Sequence, residues 1–62
     1  MMWWIIFFSK NLKYVKDGPY ENRGLAEYYM SQNLKPFSGR CIICSEENMN
    51  EAIMQKIMEL SG

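Results

Sequence analysis

The first eight residues of the chain are all apolar, and this run determines most of what the sequence predicts. A strand with one face in water alternates apolar and polar side chains, whereas this run does not alternate. Its aromatic and β-branched residues predict a first strand at residues 2–8. The two faces of that strand would carry the sets Trp3, Ile5, Phe7 and Trp4, Ile6, Phe8. We expect a chain of this length to leave one face uncovered, and a shift of one residue exchanges the two.

A second, weaker strand is predicted at residues 12–16, after a polar turn in which Asn11 suits a left-handed backbone. Its lysines favour an edge position, because charge discourages further strand pairing. Asp17-Gly18-Pro19 is expected to end this strand. The alternative is that residues 9–20 form one long loop, which would leave a smaller βαβα unit.

Two helices and a third strand are predicted in the remainder of the chain. The first helix starts near Asn22, a good N-cap, and ends by residues 33–34, because Pro36 disfavours a helical residue before it. Residues 37–39 form a connection to a short apolar strand at residues 40–44. Asn48 and Glu51 resemble a capping box ahead of a last helix at residues 49–60. The predicted core positions of the two helices are Leu25, Ala26, Tyr29 and Met30, then Met49, Ala52, Ile53, Ile57 and Leu60.

These elements predict one small α+β domain over residues 1–62 with the order ββαβα. We expect a three-stranded sheet with both helices packed on one face. The first strand should be central, since it is the most apolar. A right-handed crossover through the first helix would make the third strand parallel to the first or the second.

Size and charge narrow the possible functions. A domain of 62 residues buries only ~60% of its unfolded surface and often needs a partner. The net charge is zero, which argues against a dedicated nucleic-acid binder. Residues 1–44 carry six basic and three acidic side chains, and residues 45–62 carry one basic and four acidic, so the two segments have net charges of +3 and −3. The apolar run is too short to span a membrane and no secretory signal is visible, so we expect a cytoplasmic protein.

Catalysis and metal binding find little support in the sequence. The chain has no histidine, and its serines and cysteines have no evident activating partner. Cys41 and Cys44 have the C-x-x-C spacing, but in a strand they would lie on opposite faces and too far apart for a disulfide. Two inert, packed cysteines are therefore expected, with redox chemistry or a metal shared across a dimer as the alternative. We predict no enzymatic activity, no cofactor and no metal.

Binding to another protein is the predicted function, with a second copy of the chain as one candidate partner. Six residues are the predicted contacts, from the first strand and from methionines beside the core stripe of the last helix: Trp3, Trp4, Ile6, Phe8, Met54 and Met58. Small proteins that act in this way are often accessory or inhibitory factors, including phage-encoded ones that block a host protein.

Binding to single-stranded nucleic acid is the alternative function. Aromatic residues interleaved with basic ones can stack bases and hold phosphates. The residues that would do so are Lys13, Tyr14, Lys16 and Arg23. The lack of a positive net charge weighs against this alternative.

Overall fold

Strands and helices follow one another in the predicted order in this computed structural model, which describes residues 1–33 and 40–62. Strands β1, β2 and β3 span Trp3–Phe8, Tyr14–Tyr20 and Cys41–Ser45, and helices α1 and α2 span Arg23–Asn33 and Met49–Ser61. A single 3₁₀ turn, Glu46–Asn48, precedes α2. The predicted connection at residues 37–39 lies outside the described residues. No described helix has the length and apolar character needed to cross a membrane.

The three strands form one sheet in the order β2-β1-β3, so the most apolar strand is central, as predicted. Strand β1 is antiparallel to both neighbours. Strand β3 therefore runs in the same direction as β2, one of the two directions expected, and β1 separates them. Ile6 pairs with Lys16 of β2 on one side and with Ile42 of β3 on the other, which defines the register of both ladders.

The predicted end of the second strand is wrong, and so is the long-loop alternative. Strand β2 continues through Asp17, Gly18 and Pro19 to Tyr20. An edge strand tolerates proline, which has no N–H to donate. Gly18 has φ +149°, and a Cβ there would lie 3.0 Å from the Trp4 ring and 3.1 Å from the Trp3 carbonyl oxygen. Glycine therefore allows β2 to pass close to β1, where the register is irregular between Trp3 and Ile5.

The turn between β1 and β2 is closed by the backbone. The Ser9 N–H donates to the Lys13 carbonyl at 2.8 Å, and the Leu12 N–H donates to the Ser9 carbonyl at 3.1 Å. The left-handed residue is Leu12, with φ 64°, rather than Asn11 as the sequence suggested. The pairing of β1 with β2 determines which residue of the turn must be left-handed, and Leu12 occupies that position although leucine disfavours a positive φ.

Helix α2 covers the Phe8 face of the sheet, which we define by Trp4, Ile6 and Phe8. The buried cluster on this face joins Ile6, Phe8, Cys44 and Ile53. The predicted core residues of the last helix all take part, since Met49, Ala52, Ile57 and Leu60 pack against that cluster.

Helix α1 covers the opposite, Ile5 face, which we define by Trp3, Ile5 and Phe7. Ile5 and Ala26 are both fully buried, and neither belongs to the cluster around Phe8. The Arg23 guanidinium lies 5.6 Å from the centre of the Trp3 ring. The prediction that both helices pack on one face is therefore wrong. Since β1 is apolar on both faces, each face needs a cover of its own.

The helix starts agree only in part with the predictions. Asn22 caps α1, because the Leu25 N–H donates to its Oδ1 at 2.9 Å. The predicted capping box at Asn48 and Glu51 is absent, since Asn48 makes no side-chain cap bond. The 3₁₀ turn leads directly into α2, so a side-chain cap is not needed to start that helix.

Candidate interaction site

Three tyrosines, Tyr20, Tyr28 and Tyr29, form a contiguous cluster on the α1 side of the sheet, and we call them the tyrosine cluster. The Tyr29 ring lies between the other two, with its centre 5.4 Å from that of Tyr20 and 5.6 Å from that of Tyr28. Tyr28 and Tyr29 are 59% and 42% exposed. These distances suit tilted and edge-on ring packing, so the rings hold one another in place.

Two elements position the tyrosine cluster. Tyr20 ends β2 and pairs with Trp3 of the central strand, so its backbone is fixed by the sheet. Tyr28 and Tyr29 lie on α1, which Ala26 anchors to the Ile5 face. Leu25 is one helical turn before Tyr28 and Tyr29 and is also exposed, so it extends the apolar surface along the helix.

Hydrogen bonding fixes the hydroxyl of Tyr20. This hydroxyl donates to Oδ2 of Asp17 on the same strand. Burial, together with the hydrogen bond and the negative charge of Asp17, raises the pKa of Tyr20 from 10.0 to about 12. Tyr20 therefore stays neutral at any physiological pH and remains a donor to the carboxylate.

Both predicted tryptophan contacts are half-buried, and they lie on opposite faces of the sheet. Trp3 is on the α1 side beneath Arg23, whose Nε also binds Glu27 Oε1 at 2.9 Å. Trp4 is on the α2 side, where the Lys16 ammonium lies 5.9 Å from its ring centre and its Nε1 donates to Glu46 Oε1 at 3.4 Å. The two tryptophans cannot belong to one flat surface.

Ile6 and Phe8 are buried in the core under α2, so the prediction that they contact a partner is wrong. That prediction depended on an uncovered sheet face, whereas α1 covers one face of the sheet and α2 covers the other. Met54 and Met58 are 64% and 70% exposed on the outer side of α2. They remain predicted contacts, separate from the tyrosine cluster.

The residues of the nucleic-acid alternative are only partly brought together. Lys13, Tyr14 and Lys16 lie along one edge of the sheet and are exposed. Tyr14 packs against Phe8 on the α2 side, with ring centres 6.0 Å apart. Arg23 is on α1, across the sheet from Tyr14, and is paired with Glu27. A single strand of nucleic acid could not contact all four side chains on one face.

Cys41 and Cys44 are free thiols, half-buried and buried respectively. They belong to opposite faces, since Cys44 pairs with Trp4 and Cys41 pairs with Phe7. Burial raises the pKa of both thiols, and for Cys41 it outweighs the opposing effect of the nearby Lys56 charge. Raised pKa values disfavour the reactive thiolate. Within residues 1–33 and 40–62, no group of three or more His, Cys, Asp or Glu side chains could hold a metal ion.

The helical pattern did not predict the tyrosine cluster, because it placed Leu25 and Tyr29 in the core together with Ala26 and Met30. In the structure only Ala26 of that predicted set is buried and Met30 is half-buried. The spacing of Leu25, Tyr28 and Tyr29 was a usable signal, since residues three and four apart share one helix face. The third ring could not be found while β2 was expected to end before Tyr20.

Comparison with known proteins finds no match for the chain. No family model matches the sequence. Searches of curated proteins and of solved structures find no match either. The function of the chain must therefore be inferred from its geometry alone.

Proposed function

We propose that the chain is a protein–protein interaction module without enzymatic activity and that it contacts its partner through the tyrosine cluster. One observation carries the proposal: the Tyr29 ring contacts the rings of both Tyr20 and Tyr28, while Tyr28 and Tyr29 stay exposed to solvent. Tyrosine is enriched at the energetically dominant positions of interfaces. It offers a large apolar area together with a hydroxyl, and only two side-chain torsions must be fixed on binding.

Preorganisation supports this choice of surface. Tyr29 is held on both sides by rings, and Tyr20 is held by Asp17 and by the sheet. A contact surface that is already ordered loses less conformational entropy on association. Arg23, stacked on Trp3 close to Tyr20, adds a second residue type that is common at such positions.

The charges near the cluster indicate the chemistry of the partner. Asp17, Glu21 and Glu27 lie on the same two elements or between them, and Arg23 offsets one of these charges. The partner surface that fits is an apolar patch with a basic rim. The module would act by occupying that surface, as accessory and inhibitory factors do, phage-encoded ones among them. A cytoplasmic location is part of the proposal, since reducing compartments keep thiols such as Cys41 and Cys44 free.

The proposal is tested by comparing which proteins the tagged chain captures from its own cells when single tyrosines are changed. Tyr28→Ala and Tyr29→Ala remove rings from the cluster. Tyr14→Ala is the matched control, because Tyr14 is a comparably exposed tyrosine on β2 outside the cluster. We expect a protein that is captured by the wild type and by Tyr14→Ala to be lost with both cluster variants. That protein is then identified, purified and titrated, and each cluster variant should weaken its binding by about 30-fold.

Two outcomes would contradict the proposal. The first is an identical set of captured proteins for all four chains. The second is binding to a single-stranded oligonucleotide that weakens with added salt and with Lys16→Glu but not with Arg23→Glu, because these residues lie on opposite sides of the sheet. The second result would favour the nucleic-acid alternative, reduced to Lys13, Tyr14 and Lys16.

A further inference from the structure

The two edges of the sheet differ in how well they are protected from another strand. Strand β2 carries Lys16, Asp17 and Pro19 and has an irregular register, all of which discourage pairing. Strand β3 has the sequence Cys-Ile-Ile-Cys-Ser, with no charge, no proline and no glycine. Within residues 1–33 and 40–62, only β1 pairs with β3, so its outer edge is open in this part of the chain.

The ladder between β1 and β3 shows which backbone groups face that open edge. The Glu46 N–H donates to the Met2 carbonyl at 3.0 Å, next to the pair Trp3 and Ser45. Hydrogen-bonded and non-bonded pairs alternate in an antiparallel ladder, so Cys44 and Ile42 also turn their backbone groups toward β1. The N–H and C=O groups of Cys41, Ile43 and Ser45 therefore point outward.

The side chains beside this edge form a shallow cavity between β3 and α2. Its volume is about 210 Å³, and its lining residues are Ile42, Ile43, Ala52, Gln55, Lys56 and Glu59. Ile42 and Ile43 are only half-buried. Lys56 and Glu59 carry opposite charges, with Nζ and Oε1 3.2 Å apart. A surface with one positive and one negative group side by side is complementary to its own copy turned through a two-fold axis.

We propose that two copies of the chain form a dimer by pairing their β3 strands antiparallel across this edge. The register that uses every outward group places the two-fold axis at Ile43 and pairs Cys41 with Ser45 of the second copy. The sheets then join into one continuous sheet of both chains. Because the axis is perpendicular to the sheet, the two α2 helices lie side by side on the same face.

This arrangement matches the side chains as well as the backbone. Ile43 lies directly opposite Ile43 of the second copy on the α1 side, and such β-branched pairs stabilise a ladder. On the other face, Lys56 of one copy can approach Glu59 of the other. The dimer rests on the β3 edge and not on the tyrosine cluster, so it holds or fails independently of the proposed function.

The test combines sedimentation of the purified protein over a concentration series with amide hydrogen exchange followed by NMR. We expect a dimer at high concentration, and an Ile43 amide whose exchange slows as dimer forms. The Lys16 amide is the internal control. Ser9 and Lys13 are a hydrogen-bonded pair of the β1–β2 ladder, and bonded pairs alternate with non-bonded ones, so the backbone N–H of Lys16 points away from β1 at the outer edge of β2. Its exchange should stay fast at every concentration.

Ile43→Lys should raise the dimer dissociation constant by about tenfold or more, because like charges would then face each other across the axis. Val15→Lys is the matched control, with the same kind of change on the opposite edge strand, and it should leave the constant unchanged. A monomer at all concentrations would overturn the dimer. So would a dimer whose Ile43 amide stays unprotected, or a folded Ile43→Lys variant that still dimerises. If that variant fails to fold, the exchange of the wild-type Ile43 amide shows whether the dimer pairs through β3.

Discussion

Tyr20 makes the stability of the fold depend on pH in the alkaline range. Its pKa is raised by burial and by Asp17 to about 12, above the ordinary 10.0 of an unfolded chain. A group with a raised pKa contributes stability in full below its unfolded pKa and loses that contribution as the pH rises through its folded pKa. We therefore expect the ionisation of Tyr20 to cause an extra fall in the free energy of unfolding between about pH 10 and 12. Urea denaturation at several alkaline pH values measures it.

Two phenylalanine variants separate Tyr20 from other groups that titrate in this range. Tyr20→Phe removes the ionisable hydroxyl and should flatten the extra loss of stability, while costing about 1 kcal/mol near neutral pH from the lost hydrogen bond. Tyr14→Phe is the control and should keep the alkaline loss, since Tyr14 makes no such bond to Asp17. An unchanged pH profile in Tyr20→Phe would show that the Asp17 contact does not hold the proton.

The sequence predicted burial of individual residues well where a helix has one clearly apolar face, and poorly where apolar residues surround the helix. In α2 the stripe of Met49, Ala52, Ile53, Ile57 and Leu60 does pack on the sheet, because one face of that helix is clearly apolar. Helix α1 has apolar residues around much of its surface, so its pattern correctly placed Ala26 in the core but wrongly placed Leu25 and Tyr29 there as well. Helix α1 contacts the sheet at the small side chain of Ala26, and Tyr28 and Tyr29 remain exposed to solvent.

At the scale of elements, helix α1 depends on its cap, and through it so does the tyrosine cluster. The side chain of Asn22 accepts the Leu25 N–H at 2.9 Å, which would otherwise lack a partner at the helix start. Asn22→Ala should lower the free energy of unfolding by about 1 kcal/mol, and Asn22→Ser should restore most of it. Chemical denaturation of the three proteins measures both. Equal losses in the alanine and serine variants would mean that the cap bond does not stabilise α1.

The limits of prediction at this scale come from edge strands. The central position of β1 followed from its apolar sequence alone, since a strand with two apolar faces must have neighbours and covers. The extent of β2 did not follow from the sequence. Glycine and proline usually end a strand, whereas Gly18 and Pro19 are tolerated within β2 because it lies at the edge of the sheet. Because the second strand was expected to end before Tyr20, Tyr20 could not be predicted as a member of the tyrosine cluster.

At the scale of the whole molecule, the two-sided apolar strand explains the three-layer arrangement of helix, sheet and helix. The first eight residues already contained that information, since two apolar faces demand two covers. We expected an exposed face because the chain is short, but each helix needs only a few contacts to cover a three-stranded sheet. What remains unpaired in the described part of the chain is an edge rather than a face, and the uncharged sequence of β3 did not mark that strand as an edge.

The protection of β2 should decide how far assembly proceeds. If β3 edges pair, each dimer still presents two β2 edges, where Lys16 points its backbone groups outward and places its charge beside Trp4. Lysine at an edge makes a further strand bury a charge, so pairing should stop at two copies. Lys16→Val replaces that charge with a β-branched residue and should produce particles larger than a dimer, detected by light scattering. Lys10→Val, in the exposed turn after β1, is the control and should remain dimeric. Should Lys16→Val also remain dimeric, Pro19 and the irregular register, rather than the lysine, must protect that edge.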